Sequence, residues 1–282
     1  INIYLYLLID KMIINHKKKY PKISCLMITA NRLHLAKRAI QCFSDQIYPN
    51  KELVIIDDGE EDYGNVLNEF TKLDIKYIKI DKEEEYTLGY LRNCSLNYAS
   101  GDYIVQWDDD DWYHPNRLEI QASILNNGFD ACCLSATIMH INTKKYMYYP
   151  FIGQLREGVP GSIMHIRDDS IRYSNLKRAE DTYYLREWSS KNLYILDISF
   201  YYLFIRTYHG DNTWEIDHFL RRLRNTTTKW LKYMWYFKIC NTPFKHPDFR
   251  ISSEAGESYK KFVYDSKKFN LLVEKPLGIN HQ

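Results

Sequence analysis

Two short runs of acidic residues are the part of this sequence whose residue types suggest chemistry. Asp57 and Asp58 follow one apolar run, and four consecutive aspartates at residues 108–111 follow another. Adjacent carboxylates repel one another, so a nearby cation would stabilise the second run. Proteins usually hold Mg²⁺ or Mn²⁺ with one or two carboxylates together with substrate phosphates. The second run therefore suggests a divalent cation that bridges a diphosphate; an acidic turn exposed to solvent is the alternative.

The segments around these acids alternate between strand and helix patterns. Strands are predicted at residues 23–29, 53–56, 75–80 and 103–107, and helices between them at residues 33–43, 63–73 and 88–98. Strands and helices that alternate at these lengths form right-handed βαβ units around a mainly parallel sheet. Ligands bind beyond the carboxyl ends of such strands, where both acidic runs lie. The sequence therefore predicts an α/β fold with a ligand site at that edge of the sheet.

The pattern beyond the second acidic run is less regular. It predicts a helix at residues 115–126, strands at 131–141 and 145–149, a loop at 153–161, a helix from about Ala179, a strand pair at 193–208 and a long basic, aromatic helix at 214–238. We find no internal repeat and no boundary sharp enough to separate two independently folding domains.

Four motifs follow one another along the chain: ISCLMITANR at residues 23–32, ELVIIDDG at 52–59, GYLRN at 89–93 and GDYIVQWDDDD at 101–111. Together they resemble the motifs of family 2 glycosyltransferases with the GT-A fold, and the resemblance resumes at 180–181 and 209–214. Ordered motifs at compatible spacing are more specific than a lone D-x-D. The resemblance implies a Rossmann-like, mainly parallel sheet flanked by helices. We expect an N-terminal extension (1–20), a GT-A catalytic domain (21–218) and a C-terminal basic, aromatic helix with a tail (219–282).

The resemblance also implies which residues bind a nucleotide-sugar donor. They are Thr29, Asn31, Asp58, Arg92, Asp108 and Asp109. Thr29 would lie beside the base, Asp58 would accept a hydrogen bond from uracil, and Asp108 or Asp109 would face the ribose. A basic residue such as Arg92 suits an anionic nucleotide. Two departures from the family pattern, Ala30 for a common Tyr and Glu60 for a common Ser, leave the base preference open.

A metal site and a general base complete what the resemblance implies. Asp110 and Asp108 match the outer positions of the D-x-D, with Asp110 the better ligand, and His209 could complete the shell of Mn²⁺ or Mg²⁺. Asp181 matches the base that takes the acceptor's hydroxyl proton during inverting transfer, while the metal stabilises the diphosphate. The simpler alternatives are a helix N-terminal acid for Asp181 and a surface histidine for His209.

We therefore expect a metal-dependent, inverting glycosyltransferase of the hexosyltransferase type. It would move a sugar from a nucleotide-sugar donor, with UDP favoured, to a hydroxyl of a glycan or lipid-linked acceptor, and the family suggests a role in polysaccharide biosynthesis. An Asp-nucleophile phosphatase or phosphotransferase also has D-x-D after a strand, but it leaves Asp58 and Asp181 without roles. An inactive carbohydrate-binding homologue is the third hypothesis. The sugar, acceptor, linkage and oligomeric state stay open.

Composition bears on partners and location. The 282 residues carry 38 basic and 36 acidic side chains, which gives no reason to expect nucleic-acid binding. The six cysteines lack metal or disulfide spacing, and the apolar run at residues 1–14 is too short to span a bilayer, so we expect a cytoplasmic protein. Residues 219–238 hold six basic residues and no acid beside an apolar stripe. This segment could contact an anionic membrane peripherally, or pack on the catalytic core, which we favour.

Overall fold

A computed structural model describes residues 20–272 except 82, 84 and 85, so the expectation for residues 1–14 lies outside the described residues. Its strands are β1 (Ile23–Thr29), β2 (Lys51–Asp57), β3 (Ile75–Lys79), β4 (Tyr103–Gln106), β5 (Trp112–Tyr113), β6 (Ala131–Leu134), β7 (Ala136–Ile141), β8 (Phe151–Gln154), β9 (Met164–Ile166), β10 (Leu193–Leu196) and β11 (Phe204–Tyr208). Its α-helices are α1 (Leu33–Ser44), α2 (Gly64–Asn68), α3 (Leu88–Tyr98), α4 (Arg117–Asn126), α5 (Glu180–Ser189), α6 (Ile216–Leu220), α7 (Thr227–Tyr233) and α8 (Ser253–Lys268).

The larger of two sheets has seven strands in the order β10-β6-β9-β4-β1-β2-β3. Strand β9 pairs antiparallel with both neighbours and the other pairs are parallel, so the predicted mainly parallel α/β fold is confirmed. Thr29 of β1 pairs with Asp57 of β2, and Leu26 of β1 pairs with Gln106 of β4. Both acidic runs therefore leave the sheet beside the end of β1, where the strand order reverses and parallel sheets open a crevice.

Strand β1 is buried along its whole length and mostly apolar because helices cover both faces of the sheet. Cys25 and Met27 belong to one core cluster, which also contains buried residues of α1. Leu26 and Ile28 belong to a second cluster, which contains buried residues of α3 and α5. Successive side chains of a strand point to opposite faces, so a strand covered on both sides reads as a continuous apolar run.

A second sheet of four strands, in the order β5-β11-β7-β8, packs with the C-terminal helix α8. Phe262 of α8 is fully buried in the main core, and Trp112 Nε1 donates a hydrogen bond to Asp265 Oδ2 at 2.9 Å. Arg38 donates from Nη1 to Ser266 Oγ at 3.0 Å and from Nη2 to the carbonyl oxygen of Asp110. The tail expected after residue 238 thus contains a helix that belongs to the core and reaches the second acidic run.

The helix predicted at residues 214–238 is wrong as a continuous element. Helix α6 ends at Leu220, and α7 begins only at Thr227. The Thr226 hydroxyl accepts a hydrogen bond from the Lys229 backbone N–H at 3.3 Å and caps α7. Threonine side chains compete with the backbone inside helices and favour caps, so the helical pattern is interrupted there. A π-helical segment, Met234–Ile239, follows α7.

Two strand predictions are also wrong. Residues 145–149 form turns, and β10 and β11 do not pair with each other because they belong to different sheets. A 3₁₀ segment at Ile198–Leu203 carries the chain between those sheets. As a result, Arg206 and Thr207 of β11 approach the second acidic run from the second sheet. None of the helices in the described part of the chain is long and apolar enough to cross a bilayer.

Candidate active site

A cavity of about 370 Å³ opens where β1, β2 and β4 end. The sequence-predicted residues in its lining are Thr29, Asp58, Arg92, Asp108, Asp109, Asp110 and Asp181. Thr29 and Asp58 come from neighbouring strand ends, the three aspartates from the loop after β4, Arg92 from α3 and Asp181 from α5. The fold thus brings five separate segments of the chain to one cleft.

Asp108 and Asp109 are adjacent in sequence but differ in exposure and in partners. The side chain of Asp108 is 21% exposed and accepts a hydrogen bond from Arg92 Nη2 at 2.9 Å. The Asp109 side chain is 2% exposed; it accepts from Thr29 Oγ1 at 2.7 Å and pairs with Arg32 Nη2 at 3.1 Å. Burial, opposed by Arg32, raises the pKa of Asp109 to about 7. Of the two, Asp108 is therefore the one that a ligand can reach.

Asp110 is held by donors from two other parts of the chain. Its Oδ2 lies 3.3 Å from His209 Nε2, 3.2 Å from Asn212 Nδ2 and 3.3 Å from Arg32 Nη1. Burial favours the neutral acid, but the hydrogen bond from His209 and the charge of Arg32 outweigh it and lower the pKa of Asp110 to about 2. Asp110 is consequently a carboxylate with a well-placed imidazole beside it.

The fourth aspartate of the run, Asp111, faces β11. It is buried and accepts a hydrogen bond from the Thr207 backbone N–H at 2.9 Å. Burial and the charge of Asp110 raise its pKa well above the ordinary value, while Arg206 opposes that rise. Asp111, which also lines the cavity, therefore joins the acidic loop to the second sheet through the Thr207 backbone.

Arginines compensate the acidic run in this structure. Arg92 pairs with Asp108, and Arg32 pairs with Asp109 and Asp110. Burial lowers the pKa of Arg206, but the charges of the nearby aspartates outweigh burial and raise it. The repulsion between the four aspartates thus does not by itself require a metal ion. A metal has to be argued from the ligand atoms instead.

Asp110 and His209 are the predicted metal ligands that the structure brings together, while Asp108 is turned to Arg92. Among the described residues, no three His, Cys, Asp or Glu side chains are grouped so that they could hold an ion. A carboxylate and an imidazole are acceptable ligands for Mn²⁺ or Mg²⁺ when substrate phosphates supply other oxygens. The residues present therefore fit a cation that binds together with a nucleotide.

Asn31, a predicted donor-binding residue, lies outside the cavity lining. It has a φ of 51°, a left-handed conformation that Asn tolerates better than most residues. Its Oδ1 accepts hydrogen bonds from the backbone N–H groups of Glu60, at 2.6 Å, and Glu61, at 3.3 Å. A Cβ at Gly59 would lie only 2.4 Å from the Asn31 nitrogen. Asn31 thus fixes the loop that carries Asp58.

Asp181 lies in the first turn of α5, at the edge of the cavity. The preceding Ala179 has a φ of 62°, which is strained for a residue with a Cβ. The buried Glu180 also lines the cavity and accepts a hydrogen bond from Arg92 Nε at 2.9 Å. Because Arg92 also holds Asp108, one guanidinium fixes the start of α5 relative to the acidic loop. The half-buried Asp181 is left facing the cleft.

The cavity also contains residues to which the sequence analysis gave no role. They are Arg32, Lys177, Arg178, Arg206, Asn212 and Trp214. Arg32 directly follows the first motif's Asn31, and Arg206 is a charged residue within the mostly apolar strand β11, which is an available sequence signal. Basic side chains at the opening of a cleft suit a diphosphate.

The family model described as Glycosyl transferase family 2 matches residues 24–208. The chain belongs to this family. The family 2 glycosyltransferase described here is similar to the cholesterol galactosyltransferase of Borreliella burgdorferi, with 29% identity over 140 residues that cover 48% of this chain and 38% of that relative. The chain spans less than half the length of the curated relatives it matches. The family assignment removes the phosphatase alternative.

Solved structures share the fold at low sequence identity. The Staphylococcus aureus TarS 1–349 structure in complex with UDP-GlcNAc has 15% identity and a TM-score of 0.55, covering 88% of this chain and 73% of that chain. The mannosyltransferase PcManGT from Pyrobaculum calidifontis, in complex with GDP-Man and Mn²⁺, has 12% identity and a TM-score of 0.50, covering 95% of this chain and 89% of that chain. The likeness to these structures confirms the GT-A fold expected from the sequence.

Proposed function

We propose that this glycosyltransferase is metal-dependent and inverting, and that it transfers a sugar from a UDP-sugar to a hydroxyl of a glycan or lipid-linked acceptor. The observation that carries the proposal is that Asp58, Asp110 and Asp181 line one cavity. We assign the contact with the uracil ring to Asp58, the metal to Asp110 and the proton transfer to Asp181. Neighbours solved with UDP-GlcNAc, and with GDP-Man and Mn²⁺, support a nucleotide-sugar donor and a divalent cation.

The donor would lie along the ends of β1, β2 and β4. Asp58 accepts a hydrogen bond from the uracil ring, and Thr29 lies beside the base. Asp108 contacts the ribose, because its side chain is 21% exposed whereas that of Asp109 is 2% exposed. The guanidinium of Arg32, 3.3 Å from Asp110, adds a fixed positive charge near the diphosphate.

Asp110 and His209 would hold Mn²⁺ or Mg²⁺, which supplies charge stabilisation for the diphosphate leaving group. Asp181 takes the proton of the acceptor hydroxyl as that oxygen forms its bond to the sugar's anomeric carbon and the bond from that carbon to the diphosphate breaks. Its position in the first turn of a ten-residue helix favours a negative charge there.

Thermal unfolding with UDP and Mn²⁺ tests the donor and metal assignments. We expect a higher melting temperature that EDTA abolishes, and UDP at 100 times its dissociation constant adds about 2.7 kcal/mol to the free energy of unfolding. The variant Asp110→Asn should lose most of the metal-dependent shift, whereas Asp169→Asn, at an exposed acid, should keep it. A larger shift with GDP than with UDP would correct the donor, and no shift with either nucleotide would refute the proposal.

Donor turnover distinguishes an enzyme from an inactive homologue of the same fold. Incubating a panel of UDP-sugars with the protein and Mn²⁺ should release UDP slowly from one of them, because water can replace the acceptor. Binding of UDP without hydrolysis or transfer of any donor would favour the inactive carbohydrate-binding alternative. The panel also identifies the sugar without knowledge of the acceptor.

We also propose that the segment from α7 through Met234–Ile239 contacts an anionic membrane. Its inward side packs in a core cluster through Tyr233 and Phe237, so the core packing favoured from sequence accounts for only half of the segment. The outward side exposes apolar residues between lysines: Trp230, Leu231, Trp235 and Ile239 are 49%, 57%, 54% and 67% exposed. Exposed Trp and Ile beside lysines suit the interface of an anionic bilayer, where each lysine contributes about 1 kcal/mol.

Co-sedimentation with phosphatidylserine vesicles tests this contact. The double variant Trp235→Ser, Ile239→Ser should reduce the bound fraction several-fold. Raising the salt concentration to about 0.5 M should weaken wild-type binding, because salt screens the attraction between lysines and anionic lipid. Tyr264→Ser is the matched control, because Tyr264 is 71% exposed on α8 and lies outside the segment. Equal binding by all three proteins would contradict the membrane contact.

A further inference from the structure

A second cavity of about 310 Å³ adjoins the first on the far side of Asp181. The two cavities share Ala179, Asp181, Arg206 and Trp214 in their linings. The second extends between α5, the loop at residues 155–160 and the turn after α6. A molecule in it can present a hydroxyl to Asp181 while the donor fills the first cavity, so under the proposed function it is the place for the acceptor.

Arginines outnumber acids in the lining of the second cavity. Arg186, Arg206 and Arg222 line it, with Glu157 and Asp181 as the acids. Within the part of the chain that the structure describes, neither Arg206 nor Arg222 forms a salt bridge. Partly buried guanidinium groups are normally paired with a carboxylate or phosphate. Nearby carboxylates, those of Asp111 and Asp181 foremost, compensate the charge of Arg206, whereas Arg222 lies next to other arginines. An anion from outside the protein is therefore the partner that Arg222 lacks.

The pKa values of Arg222 and His218 are lowered by burial and by the arginines around the second cavity. Burial and the charges of Arg206 and Arg221 lower the pKa of Arg222 to about 10. Burial and the same group of arginines lower the pKa of His218 to about 4, so this histidine is neutral near pH 7. His218 stacks on Trp214 with ring centroids 4.6 Å apart, and Trp214 is 37% exposed. The cavity thus combines a positive field with an aromatic face on which a sugar ring can lie.

We propose that this second cavity is the acceptor subsite and that it selects an acceptor sugar carrying a carboxylate or phosphate group, which Arg206 and Arg222 bind. A planar guanidinium matches either anion with two parallel hydrogen bonds. The proposal rests on the proposed function, since it needs Asp181 to act on the bound acceptor. It makes the acceptor an anionic glycan and not a neutral one.

Binding of simple sugars to the UDP–Mn²⁺ complex tests the proposal. Glucuronic acid, glucose 6-phosphate and glucose are titrated and followed by ligand-observed NMR, so that the first two distinguish a carboxylate from a phosphate. We expect at least one anionic sugar to bind at least tenfold more tightly than glucose. Arg222→Gln should reduce that preference at least tenfold, while Arg221→Gln should leave it unchanged, because Arg221 is exposed and does not line the cavity.

The stability of Arg222→Gln distinguishes anion binding from a structural role of Arg222. If Arg222 binds the anion, its removal should leave the melting temperature of the ligand-free protein equal or higher, and should raise the pKa of His218 measured by NMR. Anion binding to wild type should raise that pKa as well. A lower melting temperature with undiminished anion preference would assign Arg222 to folding alone and overturn the proposal.

The outcome for the acceptor is separable from the outcome for the donor. If wild-type protein fails to bind UDP with Mn²⁺, the proposed function fails. If it binds UDP but glucose binds as tightly as both anionic sugars, or none of the three binds, only the anionic acceptor subsite is refuted. Loss of the preference in Arg221→Gln as well as in Arg222→Gln would also refute it, because general surface charge would then explain the effect.

Discussion

Buried carboxylates lie at both ends of β2 and its neighbours, and the two ends differ in how completely these acids are paired. Glu52, at the amino end of β2, pairs with Lys22 Nζ at 2.7 Å and Lys76 Nζ at 3.1 Å, and accepts hydrogen bonds from the Ser24 hydroxyl and from Ser100. Burial opposes ionisation, yet these donors lower the pKa of Glu52 far below its ordinary value. Glu52 is a fully paired structural anion.

At the carboxyl end, neighbouring acids share the same cations. Asp109 has Thr29 and Arg32 as partners, but it shares Arg32 with Asp110, and burial raises its pKa to about 7. The pKa values of the two acids shift in opposite directions: burial raises that of Asp109, whereas the more complete set of donors around Glu52 outweighs burial there. Incomplete pairing at one end of a sheet therefore marks the end that is built for a ligand.

The largest effect we expect would come from removing the proposed base at the carboxyl end. Asp181→Asn should lower kcat for donor hydrolysis or transfer by about 10²–10⁴, the usual contribution of general-base catalysis, with an unchanged melting temperature. Glu187→Gln, an exposed acid on the same helix, is the control and should retain the wild-type rate. A wild-type rate in Asp181→Asn would show that the base lies elsewhere.

Removing the paired anion at the amino end of β2 should lower stability and leave the catalytic rate unchanged. Glu52→Gln leaves two lysines without their buried partner, so we expect a loss of about 3 kcal/mol in the free energy of unfolding. The rate per folded molecule should not change, because the site is at the other end of the sheet. Urea unfolding measures the loss, with Glu69→Gln, whose side chain is 54% exposed in a surface pair with Lys37, as a control that should lose under about 1 kcal/mol.

Acid should erase the difference between wild type and Glu52→Gln. The folded-state pKa of Glu52 lies below the unfolded value of about 4.3, so its stabilising contribution is complete above pH 4.3 and is lost as pH falls through the folded value. Urea unfolding from pH 7 to pH 3 should therefore show a gap between the two proteins that narrows below about pH 4. A constant gap would mean that Glu52 is not the ionised group.

The smallest effect concerns the strained residue before α5. Ala179→Gly relieves a left-handed conformation that costs a residue with a Cβ about 1–2 kcal/mol, and part of the gain is offset by the freer unfolded chain. We expect a net stabilisation of about 0.5–1 kcal/mol. The same change at Ala122, inside helix α4, should destabilise the protein by about 1 kcal/mol. Destabilisation at both positions would argue against strain at Ala179.

Sequence patterns predicted the elements whose local pattern directly reflects burial. The continuous apolar run at residues 23–29 matches β1 because both faces of that strand are covered, and the helix predicted at residues 88–98 coincides with α3. The position of the cleft followed as well, because strand order and the carboxyl-end rule are general. The acids of the site could therefore be expected to lie close together.

Features that depend on distant parts of the chain could not be predicted. Arg206 reaches the cleft because β11 pairs with β7 in a second sheet, which no local pattern reveals. Repulsion within the acidic run was judged from the acids alone, so their compensation by arginines was missed. Helix α8 buries the polar Ser258, Asp265 and Ser266 beside Ala255 and Phe262, so the role of its inward face depends on distant partners that its own sequence does not show. The break before Thr227 depended on one capping hydroxyl.

Helix α8 also affects how this enzyme can be dissected or recombined. Its Asp265 accepts a hydrogen bond from Trp112, and its Ser266 accepts one from Arg38. Arg38 also donates to the carbonyl oxygen of Asp110. A fragment cut to the family-matched stretch, residues 24–208, would keep Asp58, the acidic run and Asp181 but would lose both His209 and the contacts from α8. Chimeras that exchange specificity between relatives should therefore transplant the core and its C-terminal helix together.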